Sequence, residues 1–121
     1  SMALILIVDD DEIVRELLVM RMQTKGNECI QAGDGAEGLE LLQSDTPDLV
    51  VLDMLMPTMD GLSFLRAAQE ISQKLPPILV LSATKVDPID FPKSENRIEI
   101  LRKPASAAAI LAAIEDILAG R

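Results

Sequence analysis

Four apolar runs in this chain each end on a side chain capable of chemistry. Asp9 and Asp10 follow the run Ala3 to Val8, and Asp53 closes Leu49-Val50-Val51-Leu52. Ser82 follows Ile78 to Leu81, and Lys103 comes just after Ile98 to Leu101. Carboxylates brought within a few ångströms repel one another, so a cation must hold them together. Lys103 neutralises one charge. A hard divalent cation with a preference for oxygen ligands, Mg²⁺, suits the remainder. Zinc is disfavoured, because the chain has no His and a single Cys. A carboxylate beside Mg²⁺, a lysine and a hydroxyl is suited to phosphoryl transfer. Asp53 would attack phosphorus as the nucleophile. The metal, Lys103 and Ser82 would take the three equatorial oxygens.

For these groups to meet, the runs must be strands of one sheet. Leu49 to Asp53 lies between Pro47 and Pro57, is too short for a helix, and reads as a strand buried on both faces. A charge there is costly to bury unpaired, so Asp53 belongs where the strand emerges. Ala3 to Val8 and Ile78 to Leu81 follow the same pattern, Ile98 to Leu101 is a shorter strand, and Glu28 to Ala32 is a weaker one suited to an edge. Helical spacing runs from Asp11 to about Lys25, with Ile13, Val14, Leu17, Leu18 and Met20 as the apolar set, and Gly26 stops it. Further helices span Ala36 to Ser44, Gly61 to about Gln73 behind an Asp60 cap, and Ala105 to Ala119. Pro88 and Pro92 leave room for at most a short or irregular helix in Val86 to Arg97. Alternating strands and helices predict an α/β fold, a parallel sheet with helices on both faces. The flavodoxin-like order 2-1-3-4-5 is one of two common doubly wound choices.

At 121 residues the chain is one domain. Ser1 before Met2 reads as a vector scar, and the end at Arg121 is either natural or the cut edge of a longer protein. Apolar residues make up 49 % with two Phe and no Trp or Tyr, which predicts an aliphatic core. A net charge of −9 argues against direct binding to nucleic acid or anionic membrane. No apolar run is long enough to span a membrane, and the expected location is cytoplasmic. Cys29 lies in a predicted strand and reads as a small buried hydrophobe. Gly33-x-Gly35-x-x-Gly38 formally meets the dinucleotide fingerprint, with Asp53 twenty residues on. Asp34 and Glu37 occupy the turn where a pyrophosphate needs positive potential, so the motif reads as an ordinary glycine-rich turn.

Taken together, the acidic pair Asp9-Asp10, Asp53 in Asp-Met-Leu-Met-Pro-Thr-Met-Asp-Gly, Ser82-Ala83 and Lys103-Pro104 resemble the receiver domain of two-component response regulators over essentially the full chain. The resemblance implies the 2-1-3-4-5 sheet. It also implies that Asp53 accepts phosphate from a sensor histidine kinase or phosphotransfer protein. Asp10, Asp53 and the Leu55 backbone carbonyl would ligate Mg²⁺, with Asp9 acting through water. Lys103 would contact the phosphoryl group, its bond to Pro104 being cis, and Ser82 would swing towards the phosphate on activation. Asp11 matches no required acid and reads as a helix-start residue. Met54, Leu55 and Thr84 flank the site where family members tune dephosphorylation.

Two positions depart from that pattern. Ile100 stands where the family carries its switch aromatic, and Val86 to Arg97 lacks the usual Gly-Ala junction. These keep open a second reading, a degenerate receiver acting as a constitutive interaction module. A third, a haloacid-dehalogenase-like phosphohydrolase, needs an Asp-x-Asp pair and meets Leu55 at the second position. The last helix is either all core or partly a homodimer or interdomain face, and spacing does not choose.

Overall fold

The computed structural model describes residues 2–56, 59–72 and 74–121. Ser1, Pro57, Thr58 and Gln73, the expected end of the third helix, lie outside the described residues. Chain order is β1 (Leu4–Val8), α1 (Glu12–Thr24), β2 (Glu28–Ala32), α2 (Gly35–Asp45), β3 (Leu49–Asp53), α3 (Gly61–Ile71), β4 (Ile78–Ser82), β5 (Ile98–Arg102) and α4 (Ala107–Leu118). Every strand pair is parallel, in the order β2-β1-β3-β4-β5. This is the doubly wound sheet expected, and its parallel pairing requires a crossover between neighbours.

The period of two along each strand sorts the core into two layers. Leu6, Val8, Val50, Leu52, Ile78 and Val80 face Leu42 of α2 and Phe64, Leu65 and Ala68 of α3. Ile5, Ile7, Leu49, Val51, Leu79 and Leu81 face Leu18 and Met22 of α1 and Ile110, Ile114 and Ile117 of α4. Leu111 and Leu118 are partly buried against this second layer, so the apolar face of α4 packs into the core. Cys29 is half-buried with its Sγ 3.7 Å from Met22 Sδ, and burial pushes its thiol up to about 11. It packs as a small hydrophobe.

Side-chain caps start the helices. Asp11 accepts from the Ile13 and Val14 amides, Asp34 from Glu37, Asp60 from Ser63 and Ser106 from Ala109. The Ser106 cap moves the start of the last helix to Ala107 from the expected Ala105. In the glycine-rich turn the Gly33 amide donates to Glu37 Oε2 at 3.0 Å, so acidic side chains already occupy the helix start where a phosphate would have to bind.

The Ser63 amide holds the Asp60 carboxyl below its usual value of 3.8. A carboxyl lowered in the folded state stabilises above its unfolded value, and that contribution disappears as pH falls through the lower folded one. Asp60→Ala is expected to cost about 1 kcal/mol near neutral pH. The gap to wild type should narrow below about pH 4, measured by urea unfolding of both proteins at neutral and acid pH.

Two segments differ from the expectation or fill what it left blank. On α1, Ile13, Leu17 and Met20 belong to the expected apolar set but are 71 %, 55 % and 64 % exposed, while the sheet-facing side is built from Leu18 and Met22. The β4–β5 connection contains one 3-10 turn, Pro88–Asp90, in place of an α-helix. Gln69 Nε2 donates to the Lys93 carbonyl at 2.9 Å, and Asn96 Nδ2 to the Pro76 carbonyl at 2.9 Å. Phe91 packs, partly buried, on the α2/α3 layer.

Candidate functional site

Sheet register positions the predicted residues. Val8 pairs with Leu52, so Asp9 continues the row of Asp53, and Asp53 pairs with Leu81. Ser82 pairs with Arg102, one residue before Lys103. Carboxylate oxygens of Asp9, Asp10 and Asp53 all lie within 4.8 Å of one another. Lys103 Nζ is 2.9 Å from Asp53 Oδ1. Asp9 and Asp53 are 3 % and 6 % exposed, whereas Asp10 is exposed, so the cluster opens at the carboxyl edge of the sheet.

Local bonds hold each member. The Asp9 amide donates to the Ala32 carbonyl at 3.1 Å, and its Oδ1 accepts from the Asp11 amide at 2.9 Å. Burial pushes the Asp9 carboxyl above its ordinary value, and the charges of Asp53 and Asp10 add to that, against the Asp11 amide and Lys103. The Lys103 amide donates to the Ser82 carbonyl at 2.7 Å, and the Lys103–Pro104 bond is cis. Beyond Asp53, the Met54 amide donates to the Leu81 carbonyl and the Gly61 amide to the Met54 carbonyl, both at 2.9 Å. A Cβ on Gly61 would lie 2.6 Å from Met54 Sδ and 3.0 Å from Met54 Cα, so only glycine lets α3 start this close to the loop. The Leu55 side chain is 77 % exposed on the same loop.

Asp9, Asp10, Asp53 and Lys103 are thus brought together. The Ser82 side chain is not bonded to theirs: its hydroxyl donates to the Thr84 carbonyl at 2.8 Å and accepts from the Thr84 amide at 3.3 Å. Pleat parity explains this. Asp9 and Asp53 share the phase of Ile7 and Val51, on the α1/α4 side, whereas Ser82 shares the phase of Val80. Ile100 pairs with Val80 and packs partly buried on the α2/α3 layer, on which Phe91 also rests. Asp11 caps α1 and lies outside the cluster. Sequence reasoning missed Arg15, whose Nη1 donates to the Asp9 carbonyl at 2.6 Å. Its signal was present, since Arg15 precedes the buried Leu18 and Met22 by three and seven residues on one helical face.

Three carboxylates against one ammonium leave a surplus of negative charge on hard oxygen donors, a set that fits a divalent cation of the Mg²⁺ kind.

Comparison with known proteins gives a consistent result. The family model described as "Response regulator receiver domain" matches residues 5–115. The transcriptional regulatory protein PdtaR of Mycobacterium tuberculosis is 36 % identical over 114 residues, covering 92 % of this chain and 54 % of that protein. Response regulator MprA of Mycolicibacterium vanbaalenii is 48 % identical over 79 residues, 65 % of this chain and 34 % of that protein. The chain therefore spans between about a third and a half of these curated relatives. Among solved structures, the Vibrio cholerae chemotaxis protein CheY4 superposes with a TM-score of 0.81 at 30 % identity, covering 97 % of this chain and 99 % of that one.

Proposed function

The chain belongs to the response regulator receiver domain family, and from that premise we propose that it is a phosphoacceptor switch in which Asp53 takes a phosphoryl group from a phosphohistidine. Receiver domains are signalling domains of two-component systems rather than turnover enzymes, and they interact with histidine kinases or phosphotransfer proteins. The observation that carries the reading is Lys103 Nζ at 2.9 Å from Asp53 Oδ1 inside the carboxylate cluster.

In the proposed step a carboxylate oxygen of Asp53 forms the O–P bond as the N–P bond of the donor breaks, with the electron pair leaving on the imidazole nitrogen. Lys103, bonded to Asp53, would meet charge on the phosphoryl oxygens. Asp10, Asp53 and the Leu55 carbonyl would hold Mg²⁺, with Asp9 acting through water, its own Oδ1 being engaged by the Asp11 amide. When bound, the metal supplies positive charge to the phosphoryl oxygens. Ser82 would leave Thr84 to reach the phosphate, and Ile100 would take the place of the switch aromatic.

Incubation with acetyl phosphate and Mg²⁺ is expected to add one phosphate, seen by mass spectrometry in wild type and missing in Asp53→Asn. No adduct, together with no change in amide NMR shifts on adding beryllofluoride, would sink the proposal. The alternative, a constitutive interaction module, draws on the altered β4–β5 connection and Ile100. Partner binding that is the same for wild type, phosphorylated protein and Asp53→Ala would favour it.

A further inference from the structure

The loop carrying Asp9 and Asp10 is only three residues long between β1 and α1, yet it must aim two carboxylates at Asp53 against their mutual repulsion. Three of its constraints are local: the Asp9 amide on Ala32, the Asp9 carboxylate on the Asp11 amide, and Asp11 as the α1 cap. The fourth comes from a charged side chain. Arg15 Nη1 donates at 2.6 Å to the Asp9 carbonyl, which belongs to the peptide plane joining Asp9 to Asp10. Its Nε reaches Gln31 Oε1 on β2 at 3.3 Å, and Nη1 passes within 3.5 Å of where a Gly33 Cβ would be. One planar guanidinium therefore ties α1 to the acid-pair loop and to the neighbouring strand.

We propose that Arg15 is a positioning residue for the cation site: by fixing the Asp9–Asp10 peptide plane it sets the direction in which the Asp10 carboxylate faces Asp53. The inference rests on the proposed Mg²⁺ site. Arg15 acts on a carbonyl and not on a carboxylate, so its effect on geometry and its effect on charge have opposite signs. As a mere positive charge beside an acidic cluster, Arg15 opposes cation binding, and its removal would tighten it. As a positioning residue it favours binding, and its removal weakens it, as loss of an outer-shell hydrogen bond commonly does by about 10- to 100-fold. Lysine carries its three N–H donors on one nitrogen and cannot hold the Asp9 carbonyl and Gln31 with a planar fork.

The test is titration calorimetry of Mg²⁺ at fixed ionic strength on wild type, Arg15→Met, Arg15→Lys, Asp10→Asn and Arg21→Met. Arg21 is exposed in the last turn of α1, and its replacement makes the same charge change away from the loop. Circular dichroism and thermal unfolding without Mg²⁺ report on the fold. The expected result is a roughly tenfold or greater loss of affinity in Arg15→Met, a smaller loss in Arg15→Lys, and no change in Arg21→Met. Affinity in Arg15→Met equal to or tighter than wild type overturns the inference. Should Arg15→Met fail to fold, Arg15→Lys decides alone: weaker binding supports the inference, and wild-type binding overturns it. Wild type that binds no Mg²⁺ overturns both this and the metal reading. Wild-type binding lost in Asp10→Asn, with Arg15→Met unaffected, overturns this inference only.

Discussion

Replacing Lys103 by alanine is expected to slow phosphorylation of Asp53 from acetyl phosphate by about 10²–10³-fold, the usual cost of removing one preorganised donor to developing charge. Lys103 contacts a carboxylate of the cluster, 2.9 Å from Asp53 Oδ1, with the Asp53 side chain buried and the Lys103 side chain about a third exposed. In the resting protein it offsets repulsion among Asp9, Asp10 and Asp53; in transfer it would lie against the phosphoryl oxygens. These two jobs give opposite signs for the metal. Without the ammonium the cluster is more negative, so Lys103→Ala should bind Mg²⁺ as tightly as wild type or more so while reacting far more slowly. Lys103→Arg keeps the charge but changes a point donor into a fork, and it should recover part of the rate. Rapid-quench mass spectrometry gives the rates and calorimetry the Mg²⁺ affinity. A Lys103→Ala rate within about threefold of wild type would place the role on another group and remove the central support of the proposed chemistry.

What was legible in the sequence is what hydrophobic patterning determines. β1, β3 and β4 are buried on both faces, so they read as unbroken apolar runs, and a carboxylate after such a run has to emerge at the strand end. That puts Asp9, Asp10 and Asp53 at one edge, with Lys103 following the shorter run of β5, and register sets the distances. The strand limits shifted little: Ser82 and Arg102 are in β4 and β5, since ladder hydrogen bonds continue where the apolar run has ended.

Side-chain direction was less legible. Ser82 lies at the right edge, but its pleat phase is that of Val80, and its hydroxyl is bonded to Thr84. Ile13, Leu17 and Met20 carry a helical apolar spacing of their own, so the sequence offered two stripes on α1, and only packing selected Leu18 and Met22 for the sheet. Arg15 was overlooked for the converse reason: on an inward helical face it is bonded to a backbone carbonyl, and a backbone partner leaves no mark in the sequence. In the β4–β5 connection the prolines gave the lack of an α-helix, while the Gln69 and Asn96 bonds and the seat of Phe91 are tertiary.

Phe64→Ala is the core substitution with the largest expected effect, about 3–5 kcal/mol. Phe64 is fully buried in α3, and the other fully buried side chains of its layer are aliphatic or methionine, so truncation leaves a ring-sized space. Against a total of about 5–15 kcal/mol for a domain, that loss removes about a fifth or more. Its packing partner is an absence: a Cβ on Gly38 would lie 2.9 Å from Val8 Cγ2 and 3.1 Å from Phe64 Cε2. Gly38 therefore makes the notch into which the ring and Val8 close. Gly38→Ala alone overpacks this contact and is expected to cost about 1–3 kcal/mol. In the Phe64→Ala background part of that clash is gone, so the added methyl should cost less or partly refill the cavity, and the double mutant should be more stable than the sum of the singles. Urea unfolding of the four proteins measures the coupling. Strict additivity would mean that Val8 alone sets the limit at Gly38, leaving the ring outside that contact.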